Sequence, residues 1–129
     1  MTFDKAFTKE DKAELEKLTN LCRGDILKCT TLAASGHPGG SMSTIDMLAL
    51  VYKYANISPE NWDSTTRDRI YVSHGHVSPA VYSILGRNGF FDIDQAIGEF
   101  RLAGSIYEGH IERMVKGVEW TPGKLGQGI

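Results

Sequence analysis

The sequence predicts an α/β chain, mostly helical in this segment, with one clear parallel-type strand. Three observations predict it. Apolar residues recur at three- and four-residue spacings in several stretches, the period of a helix with one buried face. One short run, Ile70-Tyr-Val-Ser73, is β-prone. Loops rich in glycine and bearing histidine separate these elements. The length of 129 residues suits one domain or part of one.

Thr8-Lys-Glu-Asp11 reads as a helix N-cap, with acidic residues in the first turn where the helix dipole favours them. Leu15, Leu18, Cys22, Ile26, Cys29 and Ala33 then form one apolar face, predicting a long helix that ends near Ala34. Ser35-Gly-His-Pro-Gly-Gly-Ser41 breaks it, because glycine and proline disfavour continuation. A second helix carries Ile45, Leu48, Tyr52 and Ala55 on one side and ends near Asn56. The span 58–68 is polar and irregular, and the strand at Ile70–Ser73 runs straight into His74-Gly-His76. Ser78-Pro79 starts a third helix, since proline is tolerated at the first helical position, and Asn88-Gly89 closes it. Asp92-Ile-Asp-Gln95 resembles a capping box for a fourth helix, with Ile93, Ala96, Ile97 and Phe100 as its apolar side. From Gly104 to Gly128 the chain reads as loop. A single parallel strand needs neighbours on both edges, so the inventory predicts an incomplete domain, interrupted where Gly126-Gln-Gly-Ile129 would open a further element.

Composition narrows the function classes. The chain is 41% hydrophobic and 23% charged, ordinary for a soluble globular protein. Lys plus Arg number 14 against 16 Asp plus Glu, and 14 − 16 = −2 lacks the basic footprint of a nucleic-acid binder. The apolar stretch at 47–51 is too short to span a bilayer, and the acid-bearing start lacks a signal core, so a cytoplasmic protein with no membrane partner is expected. Cys22 and Cys29 lie about two turns apart on one helix, too far to bridge, and read as buried thiols in a reducing compartment.

The chemistry sits in three Gly-His loops: Gly36-His37-Pro-Gly-Gly40, His74-Gly-His76 and Gly109-His110. Glycine lets the backbone approach a ligand closely, and imidazole can donate to phosphate or exchange a proton near neutral pH. The end of a strand is where open α/β sheets bind ligands. His74-Gly-His76 lacks Cys or carboxylate partners at metal-ligand spacing, so no metal site is expected on this chain. Neither a Walker loop nor a G-x-G-x-x-G follows the strand, which argues against nucleotides.

Taken in order, Ser35-Gly-His-Pro-Gly-Gly40, Arg67-Asp-Arg69 leading to Val72-Ser-His-Gly-His76, Gly89-Phe90, Phe100-Arg101, Gly109-His110 and Gly117-Val-Glu…Leu125-Gly-Gln-Gly-Ile129 resemble the amino-terminal region of the transketolases. The similarity runs from about Leu18 to the last residue, and the Gly-Gly after His-Pro looks more like the split transketolases, encoded as two chains. The resemblance implies a partial thiamine-diphosphate-binding fold, with residues 1–129 an incomplete amino-terminal domain. It implies His37 as a proton-transfer and positioning group near the reacting hydroxyl and the thiazolium, and His110 as a ligand of the donor ketose near its carbonyl. It implies His76 as a contact to the cofactor diphosphate, and Gly123, Lys124 and Leu125 as the stretch along the cofactor. The reaction implied is transfer of a two-carbon ketol unit between sugar phosphates.

Three positions depart from the pattern: Lys124 stands for a proline, His74 for asparagine or lysine, and Ile111 for a proline whose loss would loosen the loop after His110. The family's Gly-Asp-Gly signature, which with a later asparagine holds Mg2+ on the diphosphate, has no equivalent here. Neither has the second, pyrimidine-binding domain with its activating glutamate. The resemblance therefore implies complementary chains that carry both, in an oligomeric assembly. Three other readings compete: a non-catalytic remnant or regulatory module docking on a related thiamine enzyme, a truncated product, and a piece of a deoxyxylulose-phosphate synthase.

Overall fold

A computed structural model describes residues 6–127; the opening Met1–Lys5 and the closing Gly128-Ile129 of the Gly-Gln-Gly-Ile motif lie outside the described residues. Four helices follow in order: α1 (Lys9–Leu32), α2 (Pro38–Tyr54), α3 (Ser78–Arg87) and α4 (Ile93–Glu99). A 3-10 turn at Gly75–Val77 leads directly into α3.

Thr8 caps α1 as the sequence predicts: its hydroxyl accepts from the Asp11 amide while the Asp11 carboxylate accepts from the Thr8 amide, a complete capping box. Cys22, Ile26 and Cys29 of the expected stripe are buried, and Leu15, Leu18 and Ala33 pack at its margin. The helix ends at Leu32, where Ala34 (φ 49°) and Gly36 (φ 142°) turn the chain sharply. Gly36 is needed there, since a Cβ would come within 2.7 Å of Thr30 Cγ2. Helix α2 starts earlier than the glycines suggest. Pro38 takes a first-turn position, and Gly39, Gly40 and Ser41 wind into the helix behind it.

Helix α3 is the centre of the molecule: Ser78 to Leu85 are all buried, and α1, α2 and α4 pack around it. A buried carboxylate joins it to α1. Asp25 accepts from Arg87 Nε at 2.8 Å, from Arg87 Nη2 at 2.7 Å and from the Ser83 hydroxyl at 2.8 Å, which compensates its desolvation. Asp92 caps α4 by accepting from the amides of Asp94 and Gln95; Gln95 bonds Glu99 instead of reaching back. Both cysteines are free and buried, and burial pushes the Cys29 thiol up to about 11.

One expectation fails. No strand forms among the described residues, and the α/β class with its single parallel strand is replaced by a helical architecture. Ile70 and Val72 do pack on the core while Tyr71 is 51% exposed, so the alternation of the run is real. Strand propensity describes fit to a pleated, half-buried surface, whereas a ladder needs a neighbour in register. Within the described residues the segment has none, and it packs against the core without regular secondary structure.

The span beyond α4 is loop, as expected, and a buried ion pair ties it down. The Arg67 guanidinium forks onto Glu119, both side chains about 5% exposed or less. Arg67 also donates to the carbonyls of Trp62 and Asp68 and lies 4.0 Å over the Trp62 ring. Arg69 reaches Glu119 from the solvent side at 3.3 Å.

Candidate functional site

Three of the four histidines meet at one place. His37 is the N-cap residue of α2, and Ser41, one turn on and fully buried, donates to its carbonyl at 2.9 Å. Close packing of Gly40 on Val77, 3.4 Å from where a Cβ would sit, sets the start of α2 against the turn that carries His76. The His37 and His76 rings are 4.9 Å apart, and His76 and His110 are 5.2 Å apart, both edge to face. Burial, and then the two neighbouring rings, push His76 below the ordinary histidine value, so it is held neutral. Its Nδ1 is buried and has no hydrogen-bond partner among the described residues.

Gly75 makes this arrangement possible. A Cβ there would lie 1.9 Å from His110 Nε2, inside the ring's own volume. The backbones are joined as well, since the Ile111 amide donates to the Gly75 carbonyl at 3.0 Å. A proline at 111 could not make this bond. The Ile111 side chain is buried, 1% exposed, so this bond and its packing hold the loop where the ring of a proline is missing. Tyr82 supports the same loop from α3: its hydroxyl donates to the His110 carbonyl at 3.1 Å and accepts from the Glu112 amide at 3.3 Å.

Two hollows open on either side of the His76–His110 contact. One, of about 340 Å³, is lined by 73–76 and 123–127. It brings His76 together with Gly123, Lys124 and Leu125, the stretch marked in the sequence as lying along a cofactor. Its ionisable lining groups are His74, His76 and Lys124, all basic. Lys124 and Leu125 are exposed at its rim. The Gln127 side chain shapes this wall: its Oε1 accepts from the Lys124 amide at 2.7 Å, and a Cβ on Gly123 would come within 2.6 Å of it. Here too a proline would have removed the donor. The other hollow, of about 300 Å³, is lined by His110, Glu108, Glu112, Met114 and residues 104–106. His37 and His110 do not line the basic cleft; they stand beside it, flanking His76.

The basic cleft fits a diphosphate. It has the size of a small-ligand site, the described residues that line it carry cationic and donor groups and no carboxylate, and one of them, His76, has an unpaired ring nitrogen. Among the described residues no three His, Cys, Asp or Glu side chains group as a metal site. No helix of the described residues is long and apolar enough to cross a membrane.

The sequence reading missed Gly75, Tyr82, Gln127 and the Arg67–Glu119 pair as parts of the site. Arg67 and Glu119 fall inside motifs quoted above, yet nothing local told that the two pair with each other.

Comparison with known proteins shows the family. The family described as "Transketolase, thiamine diphosphate binding domain" matches residues 16–129. Transketolase 1 of Saccharomyces cerevisiae is 34% identical over 123 residues, covering 95% of this chain and 18% of that protein. The 6-deoxy-6-sulfo-D-fructose transketolase subunit SqwG of a Clostridium species is 33% identical over 122 residues, 93% of this chain and 44% of that subunit. The structure of transketolase from Leishmania mexicana superposes with a TM-score of 0.80 at 34% identity, over 88% of this chain and 17% of that one. The chain thus spans less than half the length of each of these relatives. Fold, histidine cluster and sequence converge: the chain belongs to the transketolase family, as its amino-terminal, thiamine-diphosphate-binding part.

Proposed function

We propose that this chain is the amino-terminal part, 1–129, of a multi-chain transketolase that moves a two-carbon ketol unit between sugar phosphates, and that it is inactive by itself. The observation that carries this reading is the junction of two hollows at His76 and His110, one basic and one mixed, with His37 alongside. Thiamine diphosphate, when bound, supplies the electron sink for breaking and making the carbon–carbon bond.

The chain's own residues divide the remaining work. His76, its pKa lowered and its Nδ1 without a partner among the described residues, binds a diphosphate oxygen, while Gly123, Lys124 and Leu125 lie along the cofactor. His110 donates to the donor ketose near its carbonyl, on a loop held by Tyr82 and Gly75. His37, exposed and flanking His76, positions the substrate hydroxyl and carries its proton to and from solvent. Complementary chains contribute the Mg2+ ligands and the pyrimidine-binding domain in a cytoplasmic oligomer. The relative named as a transketolase subunit supports such a division.

The test is ketol transfer between pentose phosphates, with thiamine diphosphate and Mg2+, by the chain purified with its native partners and by the chain alone. Activity only in the complex, reduced at least a hundredfold by His37→Ala with little change in cofactor affinity, is the expected result. A complex without turnover would leave the remnant or regulatory reading in its place.

A further inference from the structure

His74 is the one ionisable group of the basic cleft to which neither the fold nor the resemblance gives a role, and it occupies a position where the pattern has asparagine or lysine. Its Nε2 lies 3.4 Å from the hydroxyl of Thr44 in α2. That hydroxyl has a single proton, which it donates to the Gly40 carbonyl at 2.8 Å. With its proton on the Gly40 carbonyl, Thr44 accepts from His74 in the tautomer that carries the ring proton on Nε2. Nδ1 is left as an unprotonated acceptor with no partner among the described residues. An acceptor repels a phosphate oxygen, whereas the doubly protonated ring donates to it.

We propose that His74 is a proton-linked anion contact: as a diphosphate enters the cleft, Nδ1 takes a proton from solvent and donates it in a hydrogen bond to a phosphate oxygen, while Thr44 keeps Nε2–H in place. The proposal rests on the reading of this cleft as the diphosphate site. Among the described residues the other ionisable groups lining the cleft are His76 and Lys124, α2 contributes the neutral Thr44, and no carboxylate competes for the imidazolium. The histidine at 74 thus makes anion capture depend on pH, where asparagine would make it neutral and lysine would make it permanent.

The test is calorimetric titration of the full chain, with the subunits that accompany it, by inorganic pyrophosphate in metal-free buffer near neutral pH. Two buffers of different ionisation enthalpy report the protons taken up. Binding with proton uptake is expected, about fivefold weaker and with that uptake removed in His74→Gln. His74→Lys is expected to restore the affinity without restoring the uptake, which a merely structural role would not do. Unchanged affinity and uptake in His74→Gln, with binding lost in His76→Gln, would overturn the role of His74 and leave the cleft standing. No pyrophosphate binding by the wild-type chain would overturn both.

Discussion

The two hollows at the histidine cluster meet at the His76–His110 contact and differ in charge. The cleft lined by 73–76 and 123–127 has His74, His76 and Lys124 as its ionisable groups, while the hollow beyond His110 carries Glu108 and Glu112. A ligand with an anionic end and a hydroxylated end would be sorted by this difference, phosphate toward the basic side and neutral hydroxyls toward the acidic one. The distinction depends on the partition between them, His76 set edge to face against His110 beside a glycine with no room for a side chain.

The comparison can be broken most severely through the strap that leads to the basic wall. Arg67→Met leaves Glu119 buried with only the exposed Arg69 for compensation, and should cost about 3–5 kcal/mol in urea unfolding. A loss below about 1 kcal/mol would show that the strap is not held by this pair. Next in size is Gly75→Ala. The new methyl must displace the His110 ring, and overpacking of this kind costs about 1–3 kcal/mol. The sharper readout is structural: the aromatic proton shifts of His76 and His110 should both change. If only one moved, the two hollows would not share the partition described.

The smallest effect is one of pH. Because the folded pKa of His76 lies below its ordinary value, the unfolded chain binds more protons in the interval between them. Stability is then full above the ordinary histidine pKa of about 6.5 and declines as pH falls from there toward the folded value. An NMR titration should find His76 titrating below the ordinary histidine range, and His76→Gln should flatten the acid limb of the stability profile. A His76 midpoint at or above the ordinary value would remove the basis for treating it as a neutral donor.

The parts of this molecule governed by local rules were legible in the sequence. The Thr8 box, the Cys22-Ile26-Cys29 stripe, Pro79 at the start of α3 and Asp92 before α4 each act within one or two turns of chain, and each is found in place. The same local reasoning misjudged Ile70–Ser73, because a strand is a relation between segments and the run alone could report only its alternation. The Gly-His pairs pointed to loops whose His37, His76 and His110 rings the structure brings together. What joins them could not be read: Tyr82 under His110, Arg67 against Glu119 and the Ile111 amide on Gly75 link residues remote in sequence, and hydrogen-bonding groups of these kinds occur all along the chain.

Ile111 and Lys124 each place an amide proton where the family pattern has proline, and each proton is engaged, one by the Gly75 carbonyl and the other by Gln127. A pyrrolidine ring stiffens a loop permanently, whereas these fastenings can be released and remade. The walls of the site are therefore latched and not welded, and the exchange of those two amide protons with solvent is a clock for how often each latch lifts.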